Sequence, residues 1–171
     1  ITEYLKARPD KKGGLAFEPF LSIGQEDALT TGPFALDRTG ARLHLMDSRG
    51  RDTAAAFTMD LATGKTTLLA EDPKADLADV LLHPREHTIQ AAAFDWDRRR
   101  WVVLDDSVRQ DLEVLGTVAA GELSVVSRSL DDRVWIVAFE MDTGPYRYYV
   151  WNREKDVATF LFTNRPALER A

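Results

Sequence analysis

The apolar residues of this chain fall in short runs, alternating or fully apolar, and each run is closed by a turn rich in Asp, Gly or Pro. That pattern predicts short β-strands rather than helices. The stretch from Phe34 to Ala70 displays one full unit. A brief strand at Phe34–Leu36 leads into the turn Asp37-Arg-Thr-Gly40 and the strand "RLHLM" (42–46). A polar loop "DSRGRDT" follows, then the strand "AAFTM" (55–59), the turn Asp60 to Gly64 and a last strand "TTLLA" (66–70). Four strands joined in this way predict an antiparallel meander. No unit holds two stretches of about 12 residues with a 3.6 period, so a helical solenoid does not fit.

The unit recurs. Shifted by 46 residues, Leu43 falls on Ile89 and Trp135, Leu45 on Ala91 and Val137, and Phe57 on Val103 and Tyr149. Leu68-Leu69 falls on Val114-Leu115 and Phe160-Leu161, all without a gap. A fixed period in this range, with four short strands per copy, predicts β-propeller blades. The expected fold is all-β, a partial propeller of about three four-stranded antiparallel blades at 32–77, 78–123 and 124–171. Residues 1–31 are expected to be the remnant of a preceding blade, with "FEPFLSIG" (17–24) matching the end of an earlier copy. One departure stands out: "DDSVRQDLEVLG" takes the place of the outer hairpin in the second copy. Asp106 or Ser107 is expected to cap a short helix there, with Val108, Leu112 and Leu115 on one face.

Composition narrows the function classes. The net charge is −6, and the longest run of like charge is Arg98-Arg99-Arg100, which argues against a nucleic-acid surface. There is no cysteine, so disulfides, thiolate zinc sites and cysteine nucleophiles are excluded. No apolar run approaches the roughly 20 residues of a membrane-spanning helix. The chain begins with Ile, which suggests a processed chain or a piece of something longer.

The string "TGPFALDRTGARLHLMDSRGRDTAAAFTMDLATGKTTLLAEDP", together with "LSVVSRSLDDRVWIVAFEMDTGPYRYYVWNREKDVATFLFTNRPAL", resembles the propeller of bacterial prolyl oligopeptidase-type serine peptidases. The likeness lies with the acylaminoacyl/dipeptidyl aminopeptidase branch and runs from about Phe17 to Leu168. In that family a propeller precedes an α/β-hydrolase domain and restricts substrates to short peptides. The resemblance therefore implies the last blades of such a propeller, with "NRPAL" heading for the hydrolase. It implies a hydrolase domain of the same full-length protein as partner, and a bacterial cytoplasmic location with the periplasm left open. The alternative is a stand-alone TolB-like propeller module for protein–protein interaction.

No chemistry of the family is found in these residues. Its nucleophile sits in G-x-S-x-G, and none of Ser22, Ser48, Ser107, Ser124, Ser127 and Ser129 has that setting. No catalytic residue, cofactor site or metal site is assigned. "GKTT" at Gly64 lacks the first glycine of a phosphate-binding loop and reads as a turn between strands. His83 and His87 have i, i+4 spacing, but they fall on a turn begun by Pro84. His44 lies on the sheet face opposite to Leu43 and Leu45.

The loop after the second strand is charged in every copy. Arg49, Arg51, Trp96, Arg98, Arg99 and Arg100 are thus candidates to face a partner domain or an anionic group. The plainer reading is solvated loops with local pairs to Asp47, Asp52, Asp95 and Asp97. The aromatics of the last two copies, among them Trp101, Trp135, Phe139, Tyr149 and Trp151, are expected to fill the space between blades. An open arc of blades leaves two apolar faces uncovered, which predicts a homodimer. Trp135 would carry that contact if it lay on such a face.

Overall fold

In the computed structural model, which describes residues 1–170, every sheet joins strands that are neighbours in sequence. The first unit spans Ile1–Leu77. It opens with a hairpin of β1 (Thr2–Pro9) and β2 (Leu15–Ile23). A four-stranded antiparallel sheet follows, made of β3 (Gly32–Leu36), β4 (Arg42–Asp47), β5 (Ala55–Asp60) and β6 (Thr66–Ala70) in that order. Strand β7 (Leu77–Leu82) leads into the second unit and forms a three-stranded sheet with β8 (Ile89–Asp95) and β9 (Arg99–Val103). A 3-10 turn at Asp106–Val108 then runs into α1 (Arg109–Leu115). The last sheet is β10 (Glu122–Arg128), β11 (Val134–Glu140), β12 (Arg147–Asn152) and β13 (Val157–Thr163). A 3-10 turn at Pro166–Arg170 follows it.

The middle sheet differs from the sequence expectation in two ways. Only the fourth strand is replaced, because "RRWVV" still pairs with β8, Asp95 opposite Arg99 and Ala91 opposite Val103. The cap is Asp105, not Asp106 or Ser107. The 3-10 turn begins one residue earlier than expected, so the Asp105 carboxylate accepts the Ser107 amide at 2.9 Å. Val108, Leu112 and Leu115 are all buried, as one apolar face of the helical segment. Strand β1 has no counterpart in the sequence reading. Most of its side chains are exposed, so it lacks the apolar signal by which the other strands were legible.

Each unit packs its own core. In the first, Leu21 and Ile23 of β2 meet Leu43, Leu45 and Met59 of the following sheet. The Lys6 ammonium also donates to the Leu61 carbonyl at 3.1 Å. In the second unit the helical residues Val108, Leu112 and Leu115 share a cluster with Leu81, Ala91, Leu123, Trp135, Val137, Phe139 and Trp151. The repeat survives in three dimensions: Leu45, Ala91 and Val137 are each completely buried. Trp135 belongs to this packed cluster and not to an open face, which corrects its provisional placement there. Its slot between sheet and helix leaves no solvent-facing side.

The turns show why the repeat tolerates substitution. Gly40 and Gly64 have φ of 70° and 71°, and the equivalent third-copy residues Asp132 and Asp156 have φ of 58° and 50°. Aspartate is among the few side chains that enter the left-handed region readily. In the "GKTT" region Asp60 accepts the amides of Ala62 and Thr63 at 3.0 and 2.8 Å, an Asx turn between β5 and β6. Gly121 is different. Its φ is 105°, and an added Cβ would lie 2.3 Å from the Glu140 carbonyl oxygen. Gly64→Ala, with open space around the site, should therefore cost about 1–2 kcal/mol. Gly121→Ala should cost more than about 3 kcal/mol, since backbone clash adds to strain. Urea titration of the two variants checks this, and equal losses would contradict it.

Candidate functional site

The arginine-rich loop of the second unit is built on a strand pair. Asp95 closes β8 and Arg99 opens β9 directly opposite, so the guanidinium meets the carboxylate in a fork, at 2.9 and 2.7 Å. Arg99 also donates to Ser124 Oγ at 2.6 Å, and its backbone amide donates to Glu122 Oε2 at 2.6 Å. It thereby ties β9 to β10. The hydrogen bond to Asp95 holds the Arg99 pKa above its ordinary value, against the pull of desolvation. Asp79, whose carboxylate lies 3.7 Å from Arg99, also has its pKa raised, in its case by burial.

Arg98 reaches out instead, to Glu122 at 3.2 Å and Asp142 at 2.7 Å, with its side chain 61% exposed. Arg100 lies with its guanidinium 6.0 Å from the centre of the Phe94 ring. Trp96, at 69% exposure, stands alone among the tryptophans in facing water. These loops border a cleft of about 540 Å³. Five carboxylates line it (Asp95, Asp97, Glu122, Glu140 and Asp142) against the two guanidiniums of Arg98 and Arg99. Despite its arginines, the cleft is acidic.

The other two candidate residues lie in the first unit. Arg49 forks onto Asp47 at 2.9 and 2.6 Å. Burial raises the Asp47 pKa, but the bonds from Arg49 outweigh it and the carboxyl stays below its usual range. Arg51 donates to the Thr53 carbonyl at 3.3 Å, pairs with Glu71 and sits 5.7 Å over the Phe57 ring. The structure thus gathers Trp96, Arg98, Arg99 and Arg100 in one loop region and Arg49 with Arg51 in another. Asp47 and Asp95 serve as the local carboxylate partners.

A second cluster escaped the sequence reading. Two guanidiniums lie over the Trp135 indole, Arg128 at 4.5 Å and Arg153 at 5.0 Å from its ring centre. Its N–H donates to Asp132 Oδ1 at 2.8 Å. Arg128 forks onto the same Asp132 at 2.7 and 2.5 Å, then reaches Gln90 Oε1 at 2.7 Å and the Leu82 carbonyl at 2.8 Å. Arg153 binds both oxygens of the buried Asp111 of α1 at 3.0 Å and also pairs with Asp132. Trp151 donates to Asp111 as well, at 2.8 Å. Gln90 closes the network through Asp105 and Ser107 at 3.0 and 2.9 Å. Apart from the local contacts among Arg128, Asp132 and Trp135, these pairs join residues far apart in sequence, which no local motif announces.

Several hydroxyls and the His83 imidazole are likewise committed to structure. Ser48 bonds Thr30 at 2.7 Å, Ser124 bonds Arg99, and Ser129 donates to Asp131 at 2.6 Å. His83 Nδ1 accepts the amides of Arg85 and Glu86 at 3.2 and 3.1 Å inside its turn, and His87 has φ of 55°. His44 is buried, with its ring 6.4 Å from that of Phe34. Among the described residues, these bonds form no serine–histidine relay of the kind that activates a nucleophile. No group of three or more ligating side chains in the described residues could hold a metal ion.

Comparison with known proteins agrees with the repeat. The chain is 44% identical over 154 residues, 90% of its length, to dipeptidyl aminopeptidase BIII of Pseudoxanthomonas mexicana. It is 24% identical over 88% of its length to dipeptidyl peptidase family member 6 of Caenorhabditis elegans. It spans only 22% and 21% of the lengths of these two curated relatives. Among solved structures, TolB from Acinetobacter baumannii aligns with 90% of this chain and 36% of its own, at a TM-score of 0.55 and 14% identity. A chain from a structural and mechanistic analysis of two prolyl endopeptidases aligns with 87% of this chain and 21% of its own, at a TM-score of 0.56 and 14% identity. Likeness at that identity shows the fold alone, which is part of a β-propeller. The sequence resemblance to prolyl oligopeptidase-type peptidases is homology to a dipeptidyl aminopeptidase. No family model matches the chain.

Two predictions rest on these networks. Arg153→Ala strands the buried Asp111 and should cost about 3–5 kcal/mol in a denaturant melt, the range for half of a buried ion pair. A loss below about 1 kcal/mol would place the pair among surface contacts. The second concerns pH. The Asp105 pKa is held below the ordinary aspartate value of 3.8, first by the Gln90 amide and then by Ser107. Its stabilisation is therefore present above pH 3.8 and is lost as pH falls through the depressed value. Asp79 is raised by burial, so its contribution is present below pH 3.8 and is lost as pH rises through the raised value. Asp105→Asn should destabilise at pH 7 more than in acid, while Asp79→Asn should stabilise at pH 7. Melting curves of both variants across pH check the opposite signs.

Proposed function

We propose that this chain is a non-catalytic propeller segment of a prolyl oligopeptidase-like serine peptidase. In this reading it supports an α/β-hydrolase domain of the same protein and screens the short peptides that reach it. The observation that carries the reading is the 44% identity to a dipeptidyl aminopeptidase over 90% of the chain. The side-chain chemistry is consistent with it, because Ser48, Ser124, Ser129, His83, Arg49 and Arg99 are held in structural bonds. Screening by size needs walls that do not yield. Sheets tied together by Arg99 and by the Arg128–Trp135–Arg153 stack supply such walls. A bacterial cytoplasmic location goes with the proposal.

The isolated chain is proposed to self-associate. One face of the last sheet carries Val126, Val134 and Phe162 exposed to solvent, with Tyr148 stacked on Phe162 at 4.7 Å between ring centres. In a full ring a neighbouring blade would cover such a face. Without it, a two-fold dimer is the simplest cover.

The coding sequence beyond Ala171 tests the main reading. About 250 further residues containing G-x-S-x-G are expected, the size of an α/β-hydrolase domain. A stop codon there would replace the peptidase reading with a self-standing interaction module. The chain by itself should leave chromogenic peptide and ester substrates at the background rate. Turnover abolished by a serine-directed inhibitor that labels this polypeptide would overturn the non-catalytic assignment.

A further inference from the structure

The hairpin of β1 and β2 has two unlike faces. Tyr4, Leu21 and Ile23 lie on the one that packs against Leu43, Leu45 and Met59 of the following sheet. Lys6 belongs to that face and bonds the Leu61 carbonyl, and the Arg8–Glu18 pair at 2.6 Å continues it toward the tip. The opposite face emerges only in register, with the two strands side by side. There Leu5 pairs with Pro19, Ala7 with Phe17 and Pro9 with Leu15, and all six residues are exposed. The hairpin thus carries Lys6, Arg8 and Glu18 on the side of its own unit and an apolar surface on the side of solvent.

The last sheet is asymmetric in the complementary sense. Its covered face carries Trp135, Val137 and Trp151, which meet Leu81, Ala91 and the helical residues that precede it. On the other face the register gathers Val134, Ile136, Tyr148, Val150, Val157 and Phe162. Val134, Val157 and Phe162 are 37%, 49% and 52% exposed. Contacts between sheets follow one rule in both units. The face bearing Leu43 and Leu45, or their repeat equivalents Trp135 and Val137, is covered by elements that precede it in sequence. The hairpin is covered on its following side, so its open face is a preceding side. The open face of the last sheet is a following side. Each offers on the order of 400 Å² of apolar surface, the size of patch that marks a contact site on a soluble protein.

We propose that the open face of the hairpin in one copy receives the open face of the last sheet in a second copy. This contact rests on the self-association proposed above and gives the last sheet the surface it meets. It reproduces between molecules the order of faces found within each unit, following side against preceding side. Sheets twist with one hand, so stacking in that order keeps the strands aligned within about 30° and lets the side chains interdigitate. Under a two-fold axis the contact is made twice. Two contacts between faces of this size remove on the order of 1,600 Å² from water, the extent of a stable protein–protein interface. Either face paired with its own copy makes the contact once and removes on the order of 800 Å², below that extent.

Phe17→Glu spoils the hairpin face and Phe162→Glu the sheet face, each at an exposed position. Sedimentation velocity at about 50 μM reads the association state. Folding is verified by circular dichroism, and Leu15→Glu or Val157→Glu replaces a variant that does not fold. The chain itself should sediment as a dimer and each variant alone as a monomer, because every contact needs one face of each kind. An equimolar mixture of the two variants should recover a dimer, held by the one contact left intact and weaker by about tenfold or more. A Phe17→Glu chain that still dimerises would pair sheet with sheet, and a Phe162→Glu chain that still dimerises would pair hairpin with hairpin. Either result overturns the proposal while self-association stands. So does a mixture that stays monomeric up to about 1 mM. Species larger than a dimer would run the faces into an open chain and overturn the two-fold arrangement. A wild-type chain that is monomeric throughout ends self-association itself, and this contact with it.

Discussion

A β-sheet with one neighbour missing is half a structure, and here the second unit is held by a single stacked arrangement that spans sheets. Trp135 has two guanidiniums over its ring, and Asp132 binds the indole and both arginines. Buried cations are costly unless each positive group finds an acceptor. Arg128 and Arg153 find theirs in Asp132, Asp111, Gln90 and main-chain carbonyls of the preceding sheet. The stack thus converts the flat contact of one blade on another into a keyed one, in which side chains from β8, α1, β10, β11 and the turn after β12 must all be in register.

The same keying explains why a helix is tolerated where the repeat has a strand. Leu112 and Leu115 supply the apolar cover that outer-strand residues would otherwise provide, and Asp111 supplies the anion that Arg153 needs. The short helix is therefore integrated through one charged and several apolar contacts rather than through backbone pairing. Its loss of ladder hydrogen bonds is confined to the rim.

Much of this was legible in the chain, and for a physical reason. Residues at equivalent positions face equivalent surroundings, so Leu45, Ala91 and Val137 share complete burial although their side chains differ in size. The turns were legible through Asp and Gly, since few residues accept a left-handed backbone. Strand β1 was not, because its side chains face solvent and leave no apolar alternation to read. The arginine loops were visible as charge, but charge does not say which carboxylate it will meet. Arg99 meets Asp95 because β8 and β9 place them opposite each other, a fact of register. Trp135 was read as a bulky filler, and its two arginine neighbours, although in the same copy, emerged only when the folded sheet brought them over its ring.

The order of strands in each sheet is simply their order along the chain. Loop closure is cheapest between close neighbours, so this arrangement keeps the entropy cost of each pairing low. A ribosome delivers residues from the N-terminus, and each meander has all its own strands as soon as its last one emerges. The four-stranded sheet of the first unit can zip up before β7 has been synthesised. The keyed contacts around Trp135 wait for Arg153, near the end of the last sheet. Synthesis thus separates two kinds of assembly in time: hairpins form as they appear, and the locking of the second unit comes only when its final blade is nearly complete.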